Sequence, residues 1–207
     1  MNSLEIENGI KYIYKNDRNL ASIIDHAGKC NLRPGRNYFN ALLHAIIGQQ
    51  LSVKAASSIT GKFNSYYNNS PLPENILSTP DSDLRGLGLS NAKAKYVKDL
   101  SGKIVGKEIL LERLPRKKDE EIINELIKVK GIGIWTVHMF LIFTLGRPDV
   151  LPVSDLGIRK AAMVIYNLHK LPDEKKLVHI SKKNNWAPYN SIASWYLWKS
   201  LDMNIEF

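Results

Sequence analysis

The chain has 207 residues, 44% of them apolar, which is enough for a packed core in one domain or two small lobes and too apolar for a disordered chain. A net charge of +9 points to a polyanionic partner, nucleic acid first, although a basic surface can also exist without one. The single cysteine, Cys30, excludes an internal disulfide and a four-cysteine zinc or iron–sulfur site, and the five histidines show no metal-ligand spacing.

Strand signals are scarce, and helical periodicity with helix caps recurs along the chain. The first 37 residues read as helical. Tyr38 to Leu51 predicts a helix with Phe39, Leu42, Leu43, Ile46 and Ile47 on one face, and Ser52 caps a second helix to about Tyr67. Asn68 to Ser78, with Pro71 and Pro73, reads as a loop. Thr79-Pro80 reads as a cap followed by proline at the first helical position. Ser90 caps a helix over Asn91 to Ile104, with Ala92, Tyr96, Val97 and Leu100 inward. Asp119 begins the next helix, which runs to Gly131; another spans Gly133 to Leu145. Ser154 or Asp155 starts a helix through Asn167, Asp173 caps Glu174 to Lys183, and Pro188 opens a last helix through Leu201. The expected fold class is all-α, with about ten helices.

Charge is uneven. Arg85 to Lys118 carries ten basic side chains against three acidic ones, and this cluster is either a DNA-facing surface or a solvated face. The following stretch, Asp119 to Asp155, is locally acidic. A phosphate held there would depend on backbone N–H groups.

Such groups are offered by Val129 to Thr136, Val-Lys-Gly-Ile-Gly-Ile-Trp-Thr, between two helical patterns. Gly131 can take a positive φ, Gly133 lets a phosphate approach the next helix N-terminus, and Lys130 adds charge. An ordinary interhelical turn with a glycine cap has the same pattern. Asp155 follows after one more apolar helix. It reads either as a helix N-cap or, if Ser154 does the capping, as an available carboxylate able to stabilise a cationic sugar.

Four segments resemble, in order, the helix-hairpin-helix (HhH-GPD) DNA glycosylases, most of all the 3-methyladenine DNA glycosylase II group. They are Ala45 to Ser52, Leu87 to Ser90 with Lys93-Ala94, Lys130 to Thr136 with Arg147-Pro148-Asp149 and Asp155 to Lys160, and Trp186 to Tyr189 with Trp195 to Trp198. The resemblance implies one two-lobe helical unit over 1–207 with an active-site cleft between lobes. A central lobe would span 38–147, with the helix-hairpin-helix near 119–145, and 1–37 plus 148–207 would form the second lobe. No N-terminal β domain of the kind found in longer members is expected.

It also implies base flipping from duplex DNA and hydrolysis of the N-glycosidic bond of alkylated bases such as 3-methyladenine and 7-methylguanine. Asp155 matches the catalytic aspartate. Trp135, Tyr189, Met139 and His138 match the base pocket or flank it, with Met139 standing where a pocket tyrosine occurs in a known member and Asn190 where many members carry arginine. Gln50 and Leu51 match the DNA wedge. Lys130, Gly131, Gly133 and Thr136 match the phosphate-binding hairpin. Bifunctional relatives carry lysine at the place of Trp135, so a monofunctional enzyme without lyase activity, leaving an abasic site, is expected. No cofactor or resident metal is expected beyond a monovalent cation at the hairpin, and the partner is double-stranded DNA, bound by a monomer. A glycosylase for hypoxanthine or uracil, or a non-catalytic DNA-binding module, are the alternatives. The longest apolar run, Met139 to Thr144, is too short for a membrane span, and Met1 to Lys15 lacks a signal-peptide pattern. An intracellular location is expected, cytoplasmic or, in a eukaryote, nuclear.

Overall fold

The computed structural model describes residues 1–203, and among these there is no strand. Two helices open the chain, α1 (Ser3–Asn16) and α2 (Arg18–Ala27). Asn2 and Glu5 close α1 with a reciprocal capping box, Glu5 N donating to Asn2 Oδ1 and Asn2 N to Glu5 Oε2. The chain then builds one compact unit, Arg36–Phe140, before returning from Leu141 onward to the unit that holds α1 and α2.

Within Arg36–Phe140 the helices are α3 (Tyr38–Gly48), α4 (Val53–Tyr66), α5 (Pro73–Ser78), α6 (Asp81–Gly86), α7 (Asn91–Val105), α8 (Asp119–Leu126) and α9 (Ile134–Phe140), with a 3-10 turn at Leu111–Arg116. Their apolar stripes meet in one core. Leu42, Leu43, Ile46 and Ile47 of α3, Phe63 of α4, Val97 and Leu100 of α7, and Val137 of α9 are all fully buried. Each such side chain contributes about 1.5–3 kcal/mol by leaving water. α3 packs on α4, α7 and α9, and α7 also on α5 and α6.

The other unit resumes with a π-helical turn, Leu141–Leu145, then α10 (Leu156–Ile165), α11 (Glu174–Lys183) and α12 (Asn190–Asp202). α12 packs on α1, α2 and α10. Its buried centre is polar as well as apolar. Asp17 is 1% exposed and accepts from Trp186 Nε1 (2.7 Å), Tyr166 Oη (2.5 Å) and the backbone N–H groups of Asn19 and Leu20. A buried carboxylate is tolerated only when its lone pairs are satisfied in this way. Burial, then the charge of Asp17, push the Tyr166 hydroxyl pKa well above the ordinary tyrosine range.

Several elements differ from the sequence expectation. Pro73 starts α5 inside the stretch expected to be a loop, because its fixed φ and missing N–H suit a first helical turn. Pro80 is the N-cap of α6 rather than its first residue. α8 ends at Leu126, five residues before Gly131. The segment expected as one helix to Leu145 changes to π-helical winding after Phe140, where it passes into the other unit, and there Phe143 packs on Trp198 with ring centroids 5.5 Å apart. The two compact units divide after Gly35 and after Phe140. Ala92 is exposed, and α12 begins at Asn190 rather than at Pro188, with Tyr189 as its N-cap.

Candidate active site

In Arg36–Phe140 the turn between α8 and α9 is held by specific contacts. Gly131 has φ +83°, and a Cβ there would run into the Tyr96 ring of α7. Lys130 N donates to Asp99 Oδ2 at 2.9 Å, and its ammonium lies 4.0 Å from Asp99 Oδ1. Glycine is thus needed for the backbone conformation and for the close approach of α7. At Gly133 a Cβ would meet nothing within 4 Å, so the start of α9 is open to an approaching group.

Beside this turn lies a cavity of about 880 Å³. Gln50, Leu51, Gly131, Gly133, Trp135, Thr136 and Met139 all line it, so the structure brings together seven residues singled out from sequence. His138 and Lys130 are not in the lining. Trp135 is 46% exposed and Ile134 54%, and Leu51 and Val53 are exposed as well. Large apolar side chains left in water beside a cavity mark a contact surface more than a core. Thr136, in contrast, is buried. The Nδ1 atom of His138 is buried with no hydrogen-bond partner, and burial lowers the pKa of the ring below the ordinary histidine value.

Among the other lining residues, Gln49, Lys93 and Tyr96 were given no site role by sequence reasoning. Gln49 Nε2 donates to Gly131 O at 2.7 Å. Lys93 Nζ donates to Ile47 O at 2.8 Å and Gln49 O at 2.6 Å. Lys93 and its neighbour Ala94 belong to a segment quoted for the family resemblance, but nothing local in sequence shows where the ammonium goes. The basic cluster is partly spent inside its own unit. Lys98 pairs with Asp81, Lys103 with Glu108 at 3.3 Å, and Lys117 with Glu125.

Asp155 and Tyr189 belong to the other unit. Asp155 is 8% exposed and is itself the N-cap of α10, its Oδ1 accepting Ile158 N–H at 2.8 Å. Of the two readings the sequence allows, Asp155 and not Ser154 is the cap. Capping does not use up the group, for the same Oδ1 accepts Trp198 Nε1–H at 2.9 Å. A Cβ on Gly157 would sit 3.1 Å from that oxygen and 3.3 Å from Trp198 Cδ1, so the glycine leaves room for the indole to reach the carboxylate. Trp198 lies in a quoted segment without an assigned role, and its partner is 43 residues away. Tyr189 packs on α1, against the Tyr12 ring (centroids 5.4 Å apart) and at Gly9, where a Cβ would come 2.7 Å from Tyr189 Cδ1. Asn190 is a buried link: its Nδ2 donates to Asp149 Oδ1 at 2.5 Å and its Oδ1 accepts from Ser181 Oγ at 2.7 Å. Asn190 therefore carries a satisfied internal hydrogen-bond network.

Among the described residues no three or more His, Cys, Asp or Glu side chains are grouped so as to hold a metal ion, and no helix is long and apolar enough to cross a membrane. Residues 43–186 match the family described as HhH-GPD superfamily base excision DNA repair protein. DNA-3-methyladenine glycosylase 1 of Schizosaccharomyces pombe is 36% identical over 89% of this chain and 82% of its own length. A structure of the 3-methyladenine DNA glycosylase of that yeast in complex with abasic DNA superimposes with TM-score 0.84 at 33% identity, covering 95% of this chain and 98% of the other. A crystal structure of a DNA-3-methyladenine glycosidase from Bacillus halodurans gives TM-score 0.82 at 35% identity, over 93% and 88%.

Proposed function

The chain belongs to the HhH-GPD superfamily of base excision DNA repair proteins, and on that premise we propose that Asp155 is its catalytic carboxylate. The protein is a cofactor-independent, hydrolytic N-glycosylase that removes alkylated bases of the 3-methyladenine and 7-methylguanine type from duplex DNA. The observation that best supports the role of Asp155 is its fixed orientation. A buried carboxylate with one oxygen held by Ile158 N–H and Trp198 Nε1–H cannot rotate freely. Such a group can meet positive charge developing on a sugar without reorganising.

An alkylated purine is already cationic, so the bond from C1′ to the base breaks with its electron pair passing to the base, which leaves neutral. Water adds to C1′ and loses one proton, and an abasic sugar remains. Asp155 stabilises the cationic sugar and orients or deprotonates that water. Trp135 and Met139 supply the base-facing wall, where a π-face favours a cationic ring. We assign Tyr189, seated on α1, and His138, next to Met139 in the chain, to the base pocket as well. With tryptophan at 135 there is no amine at that place for imine formation, and the product is an abasic site. Lys130, Gly131, Gly133 and Thr136 form the phosphate seat, and Gln50 with Leu51 the wedge. A monovalent cation at the hairpin would be held by turn carbonyls. That of Gly131 accepts from Gln49 Nε2, and a carbonyl oxygen carries two lone pairs. The proposed compartment is the one that holds DNA.

The deciding experiment is excision from duplexes carrying 3-methyladenine, 7-methylguanine, hypoxanthine, 1-methyladenine or uracil, by wild type and Asp155→Asn. The two alkylpurines are released by wild type, and the variant is slower by about a hundredfold or more while still binding DNA. Undiminished excision by Asp155→Asn would remove the carboxylate from the mechanism.

A further inference from the structure

Lys93 stands in the first turn of α7, where Ser90 Oγ accepts its backbone N–H at 3.2 Å. A cation there opposes the dipole of its own helix. The side chain instead crosses to the C-terminus of α3, where carbonyls without intrahelical partners and the negative dipole end suit an ammonium. The two acceptors, Ile47 O and Gln49 O, flank the entry to the turn that carries Gln50 and Leu51. That turn is under backbone strain, since Gln50 adopts φ +57° although it is not glycine. On its other side Gln49 Nε2 is bonded to Gly131 O, 82 residues away. The exposed tip is thus fixed from α7 and from the glycine turn together.

We propose that Lys93, with Gln49, is a positioning residue that holds the Gln50–Leu51 tip in the shape that fills the gap left by an extruded base, and couples that tip to the phosphate-holding hairpin. This rests on the reading of Gln50 and Leu51 as the wedge. Held in place beforehand, the tip loses little conformational freedom on entering DNA. A loosened tip must be ordered in each encounter, and this matters most when an opposite base has to be left without its partner.

The test is single-turnover excision of 7-methylguanine placed opposite cytosine in a duplex and, separately, in a one-nucleotide bulge where flipping costs less. The quantity read is the ratio of the two rates. Lys93→Met lowers this ratio about tenfold, in keeping with the loss of charge-assisted hydrogen bonds. Lys93→Arg restores at least part of it, Gln49→Leu lowers it from the hairpin side, and adding Gln50→Ala to Lys93→Met brings no further fall. A purely structural loss slows both substrates and leaves the ratio at the wild-type value, which overturns the proposal. Gln49→Leu reads the same tether if Lys93→Met does not fold. If Gln50→Ala itself leaves the ratio unchanged, the wedge reading fails and the Lys93 role with it. If Gln50→Ala lowers the ratio while Lys93→Met and Gln49→Leu do not, only the positioning role is lost.

Discussion

The glycine turn before α9 and the Asp155 corner before α10 are both loops that deliver the chain into a helix, and they are built in opposite ways. The first is open: Gly133 faces free space, and Ile134 and Trp135 are about half exposed beside a cavity of about 880 Å³. The second is closed: Asp155 is buried, caps its own helix and receives an indole N–H. Open backbone and exposed aromatic surface suit the capture of a large anionic partner whose position varies along its length. A clamped carboxylate suits one bond in one geometry. Under the proposed roles the contrast separates binding from chemistry within a single chain, and each part is expected to be damaged without the other.

The largest effect on that contrast is expected at Gly131. Gly131→Ala must take a positive φ and meet the Tyr96 ring, at a cost of about 2–4 kcal/mol. The thermal midpoint falls and DNA binds more weakly, while the excision rate at saturating enzyme changes less than the affinity. A variant that keeps its affinity but loses rate would show that the turn serves chemistry. Next in size is Trp198→Phe, which removes the donor to Asp155 Oδ1 and keeps an aromatic ring facing Phe143. The saturating rate drops about tenfold, as expected for a hydrogen bond to a charged group, and Kd for lesion-containing DNA is unchanged. Equal losses in rate and affinity would erase the distinction between the two corners.

The smallest effect belongs to His138. Burial lowers its pKa below 6.5, so the unfolded chain binds the proton more readily than the folded one. Stability therefore falls as pH drops below about 6.5 and is independent of this group above that value. Thermal midpoints of wild type and His138→Gln between pH 7 and pH 5.5 should converge toward acid. Parallel curves would mean that the buried Nδ1 is not what the acid reaches.

The fold class and the landmarks of both corners were legible because they rest on local chemistry. The apolar face of α3, the caps Ser52, Ser90 and Asp173, and the glycine that a left-handed turn requires all leave their mark within a few residues. The short helix started by Pro73 and the π-helical winding after Phe140 were not legible. The first depends on packing against α7, and the second lies where the chain passes from one unit to the other.

The amino-acid sequence by itself determined an all-helical chain with a glycine turn in register with a downstream aspartate. Only tertiary structure decided what holds these two features and the buried Asp17. Asp17 meets Trp186 across 169 residues, Gln49 reaches Gly131 across 82, and Trp198 finds Asp155 across 43. A hydrogen bond between side chain and distant partner has no period and no neighbour rule, so it enters the sequence only as an unremarkable residue. It becomes visible once packing has placed donor and acceptor within 3 Å.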